Sequence, residues 1–144
     1  MAKPDPRLLD PAQYRFGVAI TTRFADLDPN DHLNNVAIAA MFEDTRVRLS
    51  LALGFRPDRT PGGRRFVVAA VDIAYLAEGR FPDPITCYAA PLAIGRSSWT
   101  LHQVLIQRDS AIATARSVLV SIIDDRPAPL DPAMADTLRE WMLA

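Results

Sequence analysis

A single cysteine, Cys87, rules out an internal disulfide and any cysteine-rich zinc site in this chain of 144 residues, and it predicts a reducing compartment. Lysine is nearly missing too: Lys3 is the only one, so arginine carries almost all of the positive charge. No apolar run approaches the roughly 20 residues that a membrane-spanning helix needs. Residues 1–6 lack the apolar core of a secretory signal. The formal net charge of −1 leaves no global attraction to nucleic acid or anionic lipid. These absences predict a cytoplasmic protein that binds neither nucleic acid nor membrane. The chain also has no His-x-x-Glu-His-like metal spacing, no Gly-x-Ser-x-Gly elbow, no Walker-type glycine loop and no helix-turn-helix segment.

What is present describes a folded domain. An apolar fraction of 49% with 23% charged residues suits a globular protein, and residues 1–144 fit one domain with its own core. Residues 14–24 alternate as a half-buried strand, with Tyr14, Phe16, Val18, Ile20 and Phe24 on one side and Arg15, Gly17, Thr21 and Arg23 on the other. Residues 26–33, rich in Asp and Asn and holding Pro29, form a loop. A helix is expected over residues 35–53. Ile38, Met41, Phe42, Thr45, Leu49 and Leu53 make its apolar stripe, with Glu43, Asp44, Arg46 and Arg48 mostly off it. Asn34 or Asn35 caps its start, Asp44 and Arg48 pair across one turn, and Gly54 ends it.

After a Pro- and Gly-containing connection, four strands are expected at residues 65–76, 85–94, 97–107 and 111–123, joined by gaps short enough for antiparallel hairpins. Several of these runs, residues 67–71 for example, are apolar on both faces, which places the helix on one side and another subunit on the other. A short final helix begins with Asp131 as cap and Pro132, and turns Met134, Leu138, Trp141 and Met142 to one face. The fold class is α+β, a curved five-stranded antiparallel sheet wrapped around one long central helix. Element order alone leaves other α+β folds open.

The 26–35 loop narrows the choice. Phe24-Ala25-Asp26-Leu27-Asp28 corresponds to the strand end and Asp-x-Asp start of 4-hydroxybenzoyl-CoA thioesterase-like proteins, and His32-Leu33-Asn34-Asn35 matches the His-Val-Asn-Asn signature of their close relatives. The spacing Asp28-x-Asn30-x-His32-x-Asn34-Asn35 is also similar to the catalytic segment of plant acyl-ACP thioesterases. The chain therefore resembles the hot-dog thioesterase superfamily. That resemblance implies the hot-dog fold, assembly as a homodimer or homotetramer, and hydrolysis of an acyl-CoA or acyl carrier protein thioester without metal or organic cofactor. It makes Asp28 the carboxylate that attacks the carbonyl or takes a proton from water, a choice the sequence leaves open. It adds Glu78, three residues after Tyr75, as a further site carboxylate.

Thioester hydrolysis needs a nucleophile or activated water and a stabiliser for the charge growing on the carbonyl oxygen. The backbone N–H groups of Leu33, Asn34, Asn35 and Val36, at the start of the helix, are expected to supply the second. Asn30 and His32, two and four residues beyond Asp28, are placed to orient water or relay a proton. Arg64 and Arg65, with Arg56 and Arg59 nearby, are candidates for the phosphates of coenzyme A, although a solvated loop is the favoured reading of that cluster. His102 and Cys87 read as structural.

Two residues depart from the bacterial pattern, which has Gly at the position of Asp31 and an aromatic at that of Ile38. Asp31 adds negative charge near Asp28, and Ile38 alters the wall of the substrate site. Two alternatives remain: a non-catalytic acyl-thioester binding protein, and a hot-dog dehydratase or hydratase.

Overall fold

Helix α1, Asn35–Ala52, buries Ile38, Met41, Phe42, Thr45 and Leu49, the stripe that its periodicity predicts. In the computed structural model, which describes residues 3–144, an antiparallel sheet curls around this helix. Met1 and Ala2, part of the segment expected to lack a signal core, lie outside the described residues. The strands are β1 (Phe16–Ile20), β2 (Arg64–Tyr75), β3 (Ile85–Ile94), β4 (Ser98–Gln107), β5 (Ser110–Ile123) and β6 (Arg126–Pro127), and helix α2 (Pro132–Glu140) closes the chain. Their order is β1-β3-β4-β5-β2, with the two-residue β6 attached to β5. Stub β6 escapes sequence reading because Asp124 and Asp125, both at positive φ, make its tight turn without the usual Gly.

Both ends of α1 are fixed as expected. The Asn34 side chain accepts from the Ala37 N–H at 2.7 Å, so Asn34 is the cap and Asn35 is the first helical residue. At the other end Gly54, at φ +83°, lets the Phe55 N–H reach the Ser50 carbonyl and its own N–H reach Leu51, closing a Schellman motif.

The core lies between α1 and the concave face of the sheet. Ile38, Met41 and Phe42 meet Ile85, Cys87, Leu105 and Ala113, while Leu49 and Leu53 meet Trp99, Leu101, Leu119 and Leu138. Burial pushes the Cys87 thiol up to about 12, so it is a packed thiol rather than a nucleophile.

Four sequence expectations need correction. Phe24 does not continue the buried face of β1. The strand ends at Ile20, a 3-10 turn follows at Phe24–Asp26, and Phe24 is 75% exposed. Arg46 does not lie off the apolar stripe; it falls four residues after Phe42 and three before Leu49, and is only 8% exposed. Asp131 sits at the cap position of α2, but its carboxylate binds Arg64 rather than the helix. Finally, over β3 and β4 the convex face is covered by the chain's own termini, with Tyr14, Leu9 and Leu143 around Ala90 and Val104.

His102 lies on that convex face. The Tyr14 hydroxyl donates to the Leu8 carbonyl at 2.6 Å and lies 2.7 Å from His102 Nδ1. Burial, aided by Arg116 on the paired strand, lowers the His102 pKa to about 4. Histidine is thus neutral in the fold, while the unfolded chain binds its proton near the ordinary value of 6.5. Stability from this group is complete above 6.5 and is lost as pH falls toward 4. Between pH 7.5 and pH 4.5 the loss is about 2.5 kcal/mol. Denaturant unfolding at the two pH values is expected to show that much less pH dependence for His102→Gln than for wild type; equal slopes would remove His102 as the cause.

Candidate active site

The segment before α1 is a small closed hairpin. Leu27 and Leu33 form a β-bridge, the Asp28 N–H donates to the His32 carbonyl at 2.8 Å, and the Asp31 N–H donates to the Asp28 carbonyl at 3.0 Å. Asp31 turns the chain at φ +61°, a region that favours glycine and that Asp tolerates better than most side chains. The departure from Gly at this position is therefore a change in turn chemistry, and Asp31 is exposed.

The hairpin orients Asp28. Its Oδ1 accepts from the N–H groups of Asn30 (2.8 Å) and His32 (3.2 Å). Oδ2 takes no hydrogen bond from any described residue. One carboxylate oxygen is anchored and the other has no partner among the described residues. Asp26, in contrast, is 4% exposed and is held by the Arg23 backbone and guanidinium at 2.8 to 3.2 Å, so it shapes the hairpin.

A pocket of about 310 Å³ opens beside Asp28, bounded also by His32, Asn35, Ile38, Tyr75 and Glu78. The end of β2 reaches it because Gly79 passes close to the hairpin: its carbonyl accepts the Leu33 N–H at 2.9 Å, and a Cβ there would lie 2.7 Å from Leu33 Cδ1. That approach brings Glu78 to His32, with Nε2 to Oε2 at 2.9 Å. Arg80 stands 3.7 Å from the same carboxylate oxygen. A second opening of about 480 Å³ on the other side of the helix start is also bordered by Asp28, with Asn34, Asn35 and Val36.

The N–H groups at the helix start divide into two kinds. Leu33 donates to Gly79 and Asn34 to the Asp26 carbonyl at 2.8 Å, so neither is free to bind a substrate oxygen, contrary to expectation. Asn35 and Val36 have no partner among the described residues, and they carry the positive end of the α1 dipole. Leu33 remains as an apolar wall, and Asn34 as the cap.

Comparison with known proteins decides the family. A family model described as the thioesterase superfamily matches residues 30–114, more than half of the chain. The chain belongs to the thioesterase superfamily. The match includes His32, Asn35 and Glu78 and begins two residues after Asp28. A thioesterase from Thermus thermophilus, solved with coenzyme A and zinc, is 30% identical with a TM-score of 0.78, over 88% of this chain and 98% of that one. A predicted thioesterase from Bacillus stearothermophilus is 29% identical with a TM-score of 0.78, over 88% and 96%. The PA5185 protein of Pseudomonas aeruginosa strain PAO1 is 26% identical with a TM-score of 0.81, over 94% and 96%. No curated protein matches by sequence. The curled antiparallel sheet around α1 is the hot-dog fold of this superfamily.

The remaining candidates of this thioesterase-superfamily chain sort by position. Asn30 lends its backbone N–H to Asp28, but its exposed side chain borders neither opening. Arg64 and Arg65 begin β2 while the Asp28 pocket lies past its end, a separation of roughly 36 Å along an extended strand. Arg64 is occupied by Asp131, the Pro129 carbonyl and Ser121, and Arg65 by Asp125. Neither reaches a phosphate at the mouth of that pocket in its own chain. Tyr75, on the wall of the Asp28 pocket, is the residue that sequence reading passed over. No helix among the described residues is long and apolar enough to cross a membrane.

Proposed function

We propose that this protein hydrolyses an acyl thioester of coenzyme A or acyl carrier protein to the free acid and thiol. The observation that carries this reading is Asp28, one oxygen anchored and one unbonded, in a pocket at a helix start with two unclaimed N–H groups. The thioester carbonyl oxygen lies against Asn35 and Val36 N–H, which stabilise the developing oxyanion. Asp28 Oδ2 takes a proton from water as the water oxygen bonds to the carbonyl carbon, or attacks that carbon itself. The C–S bond then breaks and the thiolate leaves with a proton; on the second route water then hydrolyses the acyl–Asp28 anhydride to the free acid and restores the carboxylate. His32, joined to Glu78, carries the thiolate's proton in this reading. The coenzyme A bound to the 30% identical Thermus relative supports coenzyme A as a carrier.

A homodimer or homotetramer is part of the proposal. Strand β2 is an edge strand of 12 residues with Val68 and Val71 43% and 45% exposed, and an apolar edge of that length is stabilised by a partner. The lone buried thiol agrees with a cytoplasmic setting.

The test is thiol release from a panel of short, long and aromatic acyl-CoAs, with a pantetheine thioester standing for the carrier-bound form. Release from at least one member, in step with free acid, is expected. Thermal stabilisation by the panel with no thiol released would replace the hydrolase with a binding protein. A hydrated or dehydrated acyl product would replace it with a hydratase.

A further inference from the structure

Two openings meet at Asp28, one on each side of the start of α1, and Asp28 and Asn35 border both. The first, of about 310 Å³, also holds His32 and Glu78, whose side chains meet at 2.9 Å. The second, of about 480 Å³, has neither, and it does not stop at the helix start. A cavity of about 360 Å³ continues it along α1: the two share Arg23, Asp26, Ala37 and Ala40, and the continuation reaches Ile20, Met41 and Asp44. They form one groove between α1 and the end of β1, which is the sheet edge opposite β2. It therefore lies away from the edge strand at which a partner subunit is expected.

The walls of this groove are mainly Val36, Ala37, Ala40, Met41 and Ile20. The charges along it answer one another. Asp26 is held by Arg23 at 2.8 Å, and at the far end Asp44 is held by Arg48 at 2.7 Å. Val36, Ala40, Asp44 and Arg48 follow at four-residue intervals, so they share one line of the helix. From Asn35 to Asp44 that line runs about 13 Å. An extended chain covers this distance in roughly ten bonds.

The carbonyl of a thioester carries two arms, and only the thiol arm needs a proton as it leaves. His32, the proton carrier of the hydrolase reading, borders the first opening and not the second. With the carbonyl oxygen on the Asn35 and Val36 N–H groups, the thiol arm passes His32 and the acyl arm takes the second opening. We propose that the substrate is a medium-chain aliphatic acyl thioester whose alkyl chain lies in the groove over Ala37 and Ala40 and ends at the Asp44–Arg48 pair, about ten carbons from the carbonyl. This substrate class rests on the hydrolase reading above. Each methylene laid against Ile20 and Met41 leaves water, whereas a chain extended past Asp44 meets an ion pair and gains nothing.

Inert 2-oxoalkyl thioethers of pantetheine, the arm shared by coenzyme A and acyl carrier protein, separate this proposal from the hydrolase reading. Calorimetric titration follows a series from about four to fourteen carbons on wild type, Ala40→Phe and Tyr75→Ala. Wild type is expected to bind about twofold more tightly per added carbon up to about ten, then no more tightly. Ala40 is exposed, so the fold accepts a phenyl ring there, and the ring fills the groove roughly six bonds along it. Ala40→Phe is therefore expected to keep the affinity for the shortest chain and to weaken that for ten carbons at least about tenfold. Tyr75→Ala, on the wall of the first opening, is expected to weaken every length by a similar factor. Affinity independent of length in wild type overturns the proposal. So does an equal loss at all lengths in Ala40→Phe, or a length limit that moves with Tyr75 and not with Ala40, which places the acyl chain on the His32 side. Thiol release from the matching thioesters, read in parallel, decides the hydrolase reading alone.

Discussion

Asp28→Asn is expected to lower kcat/KM for thioester hydrolysis by roughly 10³-fold or more while leaving the fold in place. The geometry makes the two effects separable. Asparagine keeps an Oδ1 that can accept from the Asn30 and His32 N–H groups, so the hairpin retains its bonds. What disappears is the second oxygen as a base or nucleophile. The stability cost is expected to stay below about 1.5 kcal/mol, the difference between a charged and a neutral acceptor. Turnover at the wild-type rate in a folded Asp28→Asn protein would take Asp28 out of the mechanism. A single turnover of wild type in ¹⁸O-water then tests the second route: label in the Asp28 carboxylate requires an acyl–Asp28 anhydride opened by water at Cγ, which direct water attack on the thioester does not give.

The opposite separation is expected at Phe42. Its side chain is completely buried where α1 meets the sheet, against the cluster that includes Ile85, Cys87 and Leu105. Truncation to alanine removes most of a phenyl ring from a site bounded by rigid strands that relax little into the space. Phe42→Ala is therefore expected to cost about 3–5 kcal/mol, which lowers the melting temperature by roughly 10 °C or more. The hydrogen bond from the Gln103 side-chain Nε2 to the Phe42 backbone carbonyl, at 2.9 Å, does not depend on the phenyl ring and persists. Phe42→Leu, which keeps most of the volume, is expected to cost about 1.5 kcal/mol or less. Denaturant unfolding of the two variants checks the order. A loss under about 1 kcal/mol for the alanine variant would mean that the helix–sheet seam is not where this stability resides.

The sequence by itself determined the elements and the family. The helical stripe from Ile38 to Leu49, the Asn34 and Gly54 stops and the short hairpin gaps are local patterns, and local sterics and hydrogen bonding suffice to fix them. The segment from Asp28 to Asn35 was legible for the same reason, because the Asp28 turn, the cap and the helix start are neighbours in the chain. Pairing between distant residues was not. Glu78 meets His32 only because β2 returns past the hairpin at Gly79, and the Arg64 donors are occupied because the end of β5 and the start of α2 bring Ser121 and Asp131 to it. Sequence spacing named Glu78 but not its partner, and it named Arg64 without seeing that its donors were taken.

The tertiary structure also decided which N–H groups remain free at the helix start. Leu33 and Asn34 look the same as Asn35 and Val36 in a sequence, yet the first two are claimed by carbonyls from the β2 end and from the Asp26 turn. It decided as well that Arg46 is inside, since a residue at the margin of a helical stripe is buried or exposed according to what the sheet places opposite it. A hydrogen bond or a buried charge depends on which surfaces meet. In this fold those surfaces come from segments tens of residues apart, brought together by strand register and by the curl of the sheet around α1.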